Sequence, residues 1–506
     1  MPPDTTKILL ALSSFLVFYL LSRWWHATTH ELRHIPTVGS AGVISSYIDA
    51  WKFYKHGHKM IEKGYQKYRG SAFKVPMMSR WMVVVSGPDM INDIRRATDE
   101  QLSFREAVAE IAQSDYMIGP QIRLDPYHVA IVRTPLTRNL GVRFEDIKDE
   151  IDASFSDLVC ASDNGWTSVP VYKTIMKVVC RTGNRVFVGL PLCRNSEYLE
   201  LVEQFTMDVI KGGRIINMFP ASLKPIVGRL LTKVPQKIDL AIKHTGPLLQ
   251  KELNEDDHSG KERLNKPNNL ISWLIDEARG PQRELRDLAL RLLSVNFAAT
   301  HTTTMAFTHI LYDLATYPEY VAPMREEVES IIAAEGWTKA SVDNMHKVDS
   351  FVKESQRIAI GGLMMRRKVK RDFTFSNGIT IPAGTHLAVA TNCIHMDEVN
   401  TTFENHYKEP GRFQGFRFAE LREKEGEDLN HQMVSLSLDY GTFGTGRHAC
   451  PGRFFAVSEL KTMLAYVLLN YDIKFPRDGT RPTNFWFSAN CIPNPMAEVL
   501  FKKRMA

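Results

Sequence analysis

The chain has 506 residues, of which 44% are hydrophobic, 10% aromatic and 24% charged. These fractions are those of a folded globular protein and exclude a disordered, collagen-like or coiled-coil chain. Lys and Arg number 63 and Asp and Glu number 57, so the net charge is +6. The charge is not gathered into a block, which gives no support to nucleic-acid binding. Six cysteines without zinc-ligand spacing are too sparse for a disulfide scaffold and favour a reducing compartment.

An uncharged apolar run lies near the start of the chain, in residues 8–21. Counted on to Trp25 it covers 18 positions, slightly short of the roughly 20 residues that cross a bilayer. Arg23 and the tryptophans after it suit the headgroup layer. A cleaved secretory signal is the alternative, but no cleavage site with small residues follows the run. We therefore predict an uncleaved transmembrane helix over about residues 8–25.

Most of the remaining chain has helical spacing, and two regions have strand character. Residues 72–86 are rich in valine, and residues 373–390 alternate around an Asn-Gly turn at 377–378. No internal repeat or low-complexity segment interrupts the pattern. The sequence therefore predicts a mainly α protein with a small β region. Its domains would be an N-terminal membrane anchor in residues 1–34 and a single folded domain in residues 35–506.

A long helix is predicted from Glu284 to Thr316, because this stretch contains no proline and Pro318 follows it. Its middle, residues 298–304, reads AATHTTT. Hydroxyl side chains compete for backbone hydrogen bonds and can bend a helix. A buried helix with polar residues at mid-length suggests a functional site. The alternative is a helix whose hydroxyls bond only to its own carbonyls.

The most informative motif is the segment FGTGRHACPG at residues 443–452, which runs into a helical pattern. Glycines in it let a flat or bulky group approach the backbone. Cys450 lies just before the helix, where N–H groups and the helix dipole favour a thiolate. Arg447 and His448 add positive charge. A thiolate held in this way is suited to ligate iron.

Two other interpretations of the segment are weaker. Gly444, Gly446 and Ala449 fit a minimal dinucleotide-binding fingerprint, but the chain that follows is too short to complete a doubly wound sheet. A reactive cysteine nucleophile would suit the electropositive surroundings. That interpretation leaves the threonine-rich helix unexplained.

The segment resembles the F-x-x-G-x-R-x-C-x-G signature of cytochrome P450 haem-thiolate monooxygenases at every fixed position except one. The family's arginine, which binds a haem propionate, is His448 here. Histidine can still donate a hydrogen bond, and Arg447 beside it is a candidate to share the task. The resemblance implies the cytochrome P450 fold and a haem b whose iron has Cys450 as its axial thiolate ligand. Other positions of the segment that it assigns to haem binding are Phe443, Gly444 and Gly452.

Further arginines and one glutamate match other family motifs. Glu354 and Arg357 resemble the E-x-x-R motif, and residues three apart on a helix share a face. With Arg417 they are implied to form a structural cluster that braces the haem-side core. Arg366 and Arg133 lie where the family often has propionate-binding arginines. For both, an ordinary salt-bridge or solvated role is the alternative.

The middle of the long helix resembles the family's A-G-x-D/E-T-T motif, with two departures. Ala299 replaces the glycine, and His301 replaces the acid. Thr302 matches the threonine that helps to deliver protons to the reacting oxygen. Without the acid, the usual proton relay is in doubt. His301 either carries protons through water or faces away from the haem.

The resemblance implies an enzyme that inserts one oxygen atom from O2 into a C–H bond of an apolar small molecule. Because the sequence offers no nicotinamide or flavin site, electrons would come from NADPH through NADPH–cytochrome P450 reductase. The expected location is the endoplasmic reticulum membrane, single-pass, with the catalytic domain in the cytosol. Residues 215–227 match the segment that covers the substrate entrance and dips into the membrane; an ordinary buried loop is the alternative.

The substrate is expected to be apolar. The phrases GRHACPGRFFA and AATHTT resemble fungal monooxygenases of secondary metabolism, which points to a terpenoid or a related metabolite. Two other functions remain open: a haem-thiolate isomerase or dehydratase that needs no reductase, and a non-enzymatic membrane haem-binding protein. The presence of Thr302 argues against the first. The residues expected to line the substrate pocket are Phe104, Phe297, Ala298, Leu363, Met364 and Phe487.

Overall fold

The computed structural model describes residues 13–17, 19, 32–40, 42–78, 80–219, 222–259, 266–398, 407–476 and 479–504. Within these ranges the fold is mainly helical, as the sequence predicts. The helices are α1 (Val43–Lys67), α2 (Pro88–Arg96), α3 (Phe104–Ala112), α4 (Gln121–Leu124), α5 (Tyr127–Ile131), α6 (Leu140–Val159), α7 (Val171–Phe187), α8 (Ser196–Asn217), α9 (Lys224–Leu230), α10 (Val234–Ser259), α11 (Leu270–Glu277), α12 (Leu285–Thr316), α13 (Val321–Glu335), α14 (Lys339–Asp343), α15 (His346–Ala359), α16 (Thr391–His395), α17 (Arg417–Arg422) and α18 (Arg453–Asn470).

The strands are short and form four small sheets. They are β1 (Ala72–Pro76), β2 (Trp81–Val85), β3 (Leu102–Ser103), β4 (Thr167–Pro170), β5 (Met364–Val369), β6 (Phe373–Thr374), β7 (Thr380–Ile381), β8 (His386–Val389), β9 (Tyr471–Lys474), β10 (Phe485–Phe487), β11 (Asn490–Ile492) and β12 (Glu498–Lys503). The largest sheet has the order β1-β2-β8-β5-β3, and the others pair β4-β12-β9, β10-β11 and β6-β7.

The predicted strand regions are confirmed, with one refinement. β6 and β7 form the antiparallel hairpin expected around the Asn-Gly turn, where Gly378 has φ +83°. β8 leaves this hairpin and instead runs parallel to β2 and antiparallel to β5 in the large sheet. Buried strands such as β2 are rich in β-branched residues, which pack well on a pleated surface.

Two apolar clusters hold the fold together. The larger one is built mainly by the helices, with α12 and α18 in its centre. The smaller one surrounds the five-stranded sheet and includes the buried face of α2. Both clusters contain many side chains that are almost completely buried, so burial of apolar surface is the main source of stability.

Helix α12 confirms the long helix predicted from the sequence, because it runs without a break from Leu285 to Thr316. Its 32 residues correspond to a length of about 48 Å. Tyr317 leaves the helical conformation just before Pro318, as expected for a residue that precedes proline. α12 packs against α7, α8, α10 and α15 and so crosses the middle of the helical part.

The predicted membrane anchor in residues 1–34 lies largely outside the described residues. Of the transmembrane helix predicted over residues 8–25, only residues 13–17 and 19 are described; they are helical and exposed. In the ranges given above, the structure contains no helix of the length and apolar character needed to span a bilayer.

Candidate active site

The segment that holds Cys450 is a tight loop closed by its own backbone. The amide of Cys450 donates to the carbonyl of Phe443 at 2.8 Å, and the amide of Gly444 donates to the carbonyl of Gly441 at 3.0 Å. Gly444 has φ +65°, a conformation that favours glycine. A single 3-10 turn at Gly446–His448 follows. The loop therefore presents Cys450 immediately before α18.

The surroundings of the Cys450 thiol act on its pKa in opposite directions. Burial raises its pKa, while the amide of Gly452, which donates to Sγ, and the nearby Arg453 act in the opposite direction. Gly452 is the residue at the N-terminal end of α18, where the helix dipole favours negative charge. Cys450 is a free, half-buried cysteine. A metal ion bound to such a sulfur would deprotonate it outright.

His448 lies on one side of this loop, and its Nε2 is 2.6 Å from Oδ1 of Asp99. Burial, reinforced by Arg367, lowers the pKa of His448 to about 4. The imidazole is therefore neutral near pH 7 and is able to donate a hydrogen bond rather than carry a charge. Its contact with Asp99 lacks hydrogen-bond geometry, so Nε2 has no hydrogen-bond partner among the described residues.

The two arginines assigned to the loop surroundings, Arg133 and Arg447, are both exposed. The side chain of Arg447 is exposed, so it does not accompany His448 into the site. Its backbone carbonyl accepts a hydrogen bond from Nη2 of Arg133 at 3.2 Å. Arg133 belongs to a π-helical turn at Val132–Leu136 that follows α5. It therefore reaches the loop through the backbone of Arg447.

A β-bulge interrupts β5 at two adjacent arginines, Arg366 and Arg367. Met364 pairs with Val389 and Arg367 with Leu387, so β5 contains one extra residue. Met365, inside the bulge, has φ +50°. Strained backbone of this kind occurs at functional sites more often than elsewhere. The bulge changes the directions of the side chains that follow it.

Within the described residues, neither Arg366 nor Arg367 forms an ion pair with a carboxylate, and Nη1 of Arg367 donates to the carbonyl of Arg366 at 2.8 Å. Arg367 is 2% exposed, yet its Nε finds no hydrogen-bond partner among the described residues. Burial lowers the pKa of Arg367 to about 10, so it remains charged near pH 7. Arg366 is half-buried, and its guanidinium has no carboxylate or other acceptor within the described ranges. Arg367 was not predicted from the sequence, because a bulge depends on the partner strand.

The middle of α12 exposes a narrow strip in an otherwise buried helix. Ala298 and Thr302 are exposed, whereas Thr300, Thr303 and Thr304 are buried. Residues four apart share one face of a helix, so Ala298 and Thr302 form one exposed strip on α12. The hydroxyl of Thr302 donates to the carbonyl of Ala298 at 2.7 Å.

His301 faces away from that strip, toward α8. Its Nε2 lies 2.9 Å from the backbone carbonyl of Glu203. Because a carbonyl only accepts, Nε2 carries the proton in this contact. Burial lowers the pKa of His301, so the imidazole is neutral. The contact joins α12 to α8.

The structure brings Glu354, Arg357 and Arg417 into one buried cluster. Arg357 donates to both carboxylate oxygens of Glu354 at 2.8 Å. Nε of Arg417 adds contacts to the same oxygens at 3.2 and 3.1 Å. Arg357 also donates to the carbonyls of His395 and Pro410, both at 2.8 Å. The cluster therefore ties α15 to two later segments of the chain.

Three of the predicted pocket residues, Phe104, Phe297 and Ala298, lie near the Cys450 loop or on α12. Phe104, at the start of α3, is 40% exposed, and its ring lies 6.0 Å from that of His448. The guanidinium of Arg367 is 5.8 Å from the same ring. Phe297 is half-buried on α12, next to the exposed strip.

Of the other predicted pocket residues, Phe487 and Met364 lie on strands and Leu363 directly precedes β5. Phe487 is the last residue of β10. The centroid of its ring lies 5.7 Å from the ring centroid of Tyr54 and 4.5 Å from the guanidinium carbon of Arg214. Met364 is half-buried at the start of β5. Leu363 is 3% exposed and belongs to the smaller apolar cluster, so it contributes to the core.

The cytochrome P450 family profile matches residues 36–501 of the chain. The chain belongs to the cytochrome P450 family. Cytochrome P450 monooxygenase 151 of Postia placenta is 40% identical over 504 residues, which cover 99% of this chain and 99% of the relative. Cytochrome P450 monooxygenase 103 of the same fungus is 42% identical over 490 residues, 96% of each chain. Cytochrome P450 monooxygenase CYP512U6 of Ganoderma lucidum is 32% identical over 504 residues, which cover 99% of this chain and 97% of the relative.

Membership of the family makes this chain a cytochrome P450 monooxygenase and implies a haem-thiolate iron cofactor. The residues present fit that group. Haem needs one soft ligand for iron, cations for two carboxylates, and a flat space. The free thiol of Cys450, the buried unpartnered Nε of Arg367 and the exposed face of α12 meet these needs.

Proposed function

We propose that this P450 inserts one oxygen atom from O2 into a C–H bond of an apolar small molecule, with Cys450 as the thiolate that would hold the iron of haem b. The observation that carries the proposal is the amide of Gly452 directed at the thiol of Cys450 at the start of α18. Such a hydrogen bond stabilises a thiolate and moderates its electron donation. The surrounding loop supports a fixed position for the sulfur.

Four side chains are proposed to hold the haem carboxylates. Arg366 and Arg367 have the positive charge and free donors that carboxylates require. His448 has a neutral imidazole able to donate a hydrogen bond. Arg133 would act from the other side of the loop, next to Arg447. The remaining loop positions, Phe443, Gly444 and Gly452, would shape the backbone around the sulfur.

Haem bound in this position would supply the activation of O2, and the Cys450 thiolate would assist it by donating electron density. Thr302 is proposed to move protons at its Oγ1. In the structure its hydroxyl proton is held by the carbonyl of Ala298. Rotation about χ1 would release that proton from the carbonyl and leave an oxygen able to accept another from water.

The role of His301 is proposed to be a tether between α12 and α8. The Nε2 proton is engaged by the carbonyl of Glu203, and the low pKa of the imidazole disfavours a second proton. Both observations favour the alternative in which His301 does not carry protons to the haem. Water at the exposed strip of α12 would then supply protons to Thr302 directly.

The proposed substrate is an apolar molecule, a terpenoid or a related fungal secondary metabolite. The side chains available around α12 support this, since Phe297 and Ala298 carry no charge. Phe487 and Met364 add an aromatic ring and a flexible thioether on the strands. The fungal origin of the relatives is consistent with this class.

We further propose attachment to the endoplasmic reticulum membrane by residues 1–34, single-pass, with residues 35–506 as one cytosolic catalytic domain. Exposed apolar side chains between α8 and α10 support contact with membrane lipid. These are Met218 (77% exposed), Leu223 (44%), Ile226 (57%), Leu230 (71%) and Leu231 (56%). Electrons would come from NADPH–cytochrome P450 reductase in the same membrane.

The iron ligand is tested by the carbon monoxide difference spectrum of the reduced enzyme. The wild type should give the red-shifted Soret band of thiolate ligation, and Cys450→Ser should abolish it. Cys160→Ser is the matched control, since Cys160 is an exposed cysteine at the end of α6, and should retain the band. A thiolate-type band in Cys450→Ser would make the ligand assignment wrong.

The reaction is tested in yeast microsomes that contain a fungal reductase. A panel of terpenoid skeletons would be screened for spin-shift binding spectra and for oxygenated products. NADPH-dependent products carrying one atom from labelled O2 would support the proposal. Turnover without NADPH would instead indicate an isomerase or dehydratase, and NADPH consumption without any product would indicate a haem-binding protein of another kind.

A further inference from the structure

His395, the last residue of α16, joins the Glu354–Arg357 pair to the Cys450 loop. Its Nδ1 lies 3.0 Å from the carbonyl of Arg357, and the amide of Gly441 donates to its Nε2 at 3.1 Å. Because a carbonyl only accepts and an amide only donates, Nδ1 carries the proton and Nε2 is the acceptor. A single tautomer therefore satisfies both contacts.

The imidazole of His395 is held in one orientation. It is completely buried and stacks on Tyr440, with ring centroids 5.3 Å apart and planes inclined by 7°. Arg357 returns a hydrogen bond from Nη1 to the carbonyl of His395 at 2.8 Å. Burial lowers the pKa of the imidazole to about 3, so Nε2 remains an acceptor at any pH near neutrality.

Gly441 opens the loop that ends in Cys450. Its carbonyl accepts the amide of Gly444, and the carbonyl of Phe443 accepts the amide of Cys450. A Cβ atom on Gly441 would lie 2.7 Å from Cγ2 of Thr391, so the backbone is pressed against α16 at this point. Because the first of these hydrogen bonds joins Gly441 to Gly444 and the second joins Phe443 to Cys450, a displacement of Gly441 would also displace Cys450.

We propose that His395 is a positioning residue, which fixes the Cys450 loop relative to the Glu354–Arg357 pair by accepting the amide hydrogen of Gly441. This inference rests on the assignment of Cys450 as the iron ligand. It gives the buried cluster on α15 a defined connection to the sulfur. None of the motifs in the sequence marks His395.

Two substitutions of His395 distinguish the effect of losing the acceptor for the Gly441 amide from the effect of losing the rest of the side chain. In His395→Gln, the amide oxygen can take the place of Nε2 and accept from Gly441. In His395→Asn, the shorter amide can replace Nδ1 as the donor to Arg357, but it does not reach Gly441. Tyr440→Leu is a control for packing, since it removes the stacked ring and leaves both contacts of His395 in place.

The test measures the fraction of reduced enzyme with the thiolate-type carbon monoxide band, together with hydrogen exchange at the Gly441 amide. His395→Asn should lose most of the band and exchange about fivefold to tenfold faster at Gly441, the factor that corresponds to one hydrogen bond. His395→Gln should remain close to wild type in both. Tyr440→Leu should lower the melting temperature while the surviving protein keeps the band.

The proposal is overturned if His395→Asn matches wild type in both measurements, or if Tyr440→Leu loses the band as fully as His395→Asn does. Should His395→Asn fail to accumulate, His395→Gln decides: loss of the band without a lower melting temperature would overturn the proposal, and its retention would support it. A wild-type enzyme without the band would overturn the Cys450 assignment itself, which distinguishes the two failures.

Discussion

Arg357 and Glu354 face each other one turn apart on α15, with Nε and Nη2 of the arginine each 2.8 Å from a carboxylate oxygen. Neither side chain is exposed to solvent. Arg417 approaches the same carboxylate at 3.1 Å. One buried negative charge therefore compensates two guanidinium groups, and its hydrogen bonds join α15 to the segment that contains Arg417.

We expect Glu354→Gln to destabilise the protein by about 3–5 kcal/mol, because it leaves two buried cations without a counter-charge. Urea unfolding followed by circular dichroism measures this change. Glu326→Gln is a matched control, since Glu326 is exposed on α13, and should alter stability by less than about 0.5 kcal/mol. Equal effects of the two substitutions would show that the cluster carries little of the stability.

Thr302→Ala should uncouple NADPH consumption from product formation. Loss of the hydroxyl removes the group proposed to move protons, and such groups contribute about 10²-fold or more to a rate. Product formation should fall by about that factor, while hydrogen peroxide release rises and NADPH oxidation continues. Thr302→Ser keeps a hydroxyl on the exposed strip and should retain most of the coupling. Unchanged coupling in Thr302→Ala would remove this residue from proton delivery.

Arg366→Gln should weaken haem retention without a large effect on the fold. The guanidinium has no partner among the described residues, so its removal breaks no ion pair within them. A hydrogen bond to a charged group is worth about 1.5–3 kcal/mol, which corresponds to roughly tenfold to a hundredfold weaker haem binding. Haem content per protein and the rate of haem transfer to apomyoglobin measure the effect. Arg371→Gln, at an exposed position nearby, should leave both unchanged.

Local patterns in the sequence were sufficient to predict the long helix and the hairpin. The boundaries of α12 differ from the prediction by one residue, because apolar spacing and Pro318 define the helix without help from its neighbours. The hairpin around Gly378 followed in the same way from a turn that requires a positive φ. The Cys450 loop could be recognised in the sequence because few other structures combine closely spaced glycines, a cysteine and a following helix.

Contacts that arise only from tertiary packing were not predictable. Arg367 depends on an extra residue in β5 relative to β8, and neither strand alone reveals that register. His395 lies 38 positions from Arg357 and 46 from Gly441, and no spacing rule joins such distant residues. The tether of His301 to Glu203 depends on the packing of α12 on α8. In each case the sequence offers the residue type but not its partner.

The stability of the protein should fall in mild acid partly because of His309 on α12. Nδ1 of His309 lies 3.2 Å from Nη2 of Arg481, and burial, reinforced by that arginine, lowers the pKa of His309 to about 3. In the unfolded chain the pKa is about 6.5. Below that value the unfolded chain binds a proton that the folded protein does not, so the unfolded state is favoured.

The contribution of His309 is thus complete above about pH 6.5 and is lost as the pH falls toward 3, by up to about 1.4 kcal/mol per pH unit. In His309→Asn the amide oxygen can take the place of Nδ1 and accept from Arg481, but the residue does not titrate. Urea unfolding at about pH 7 and about pH 5 should therefore show a smaller loss of stability in the variant than in wild type. Nearby Asp313, whose pKa is raised by burial, titrates in both proteins and largely cancels from the comparison. Parallel pH profiles would mean that His309 accepts a proton in the folded state as readily as in the unfolded one.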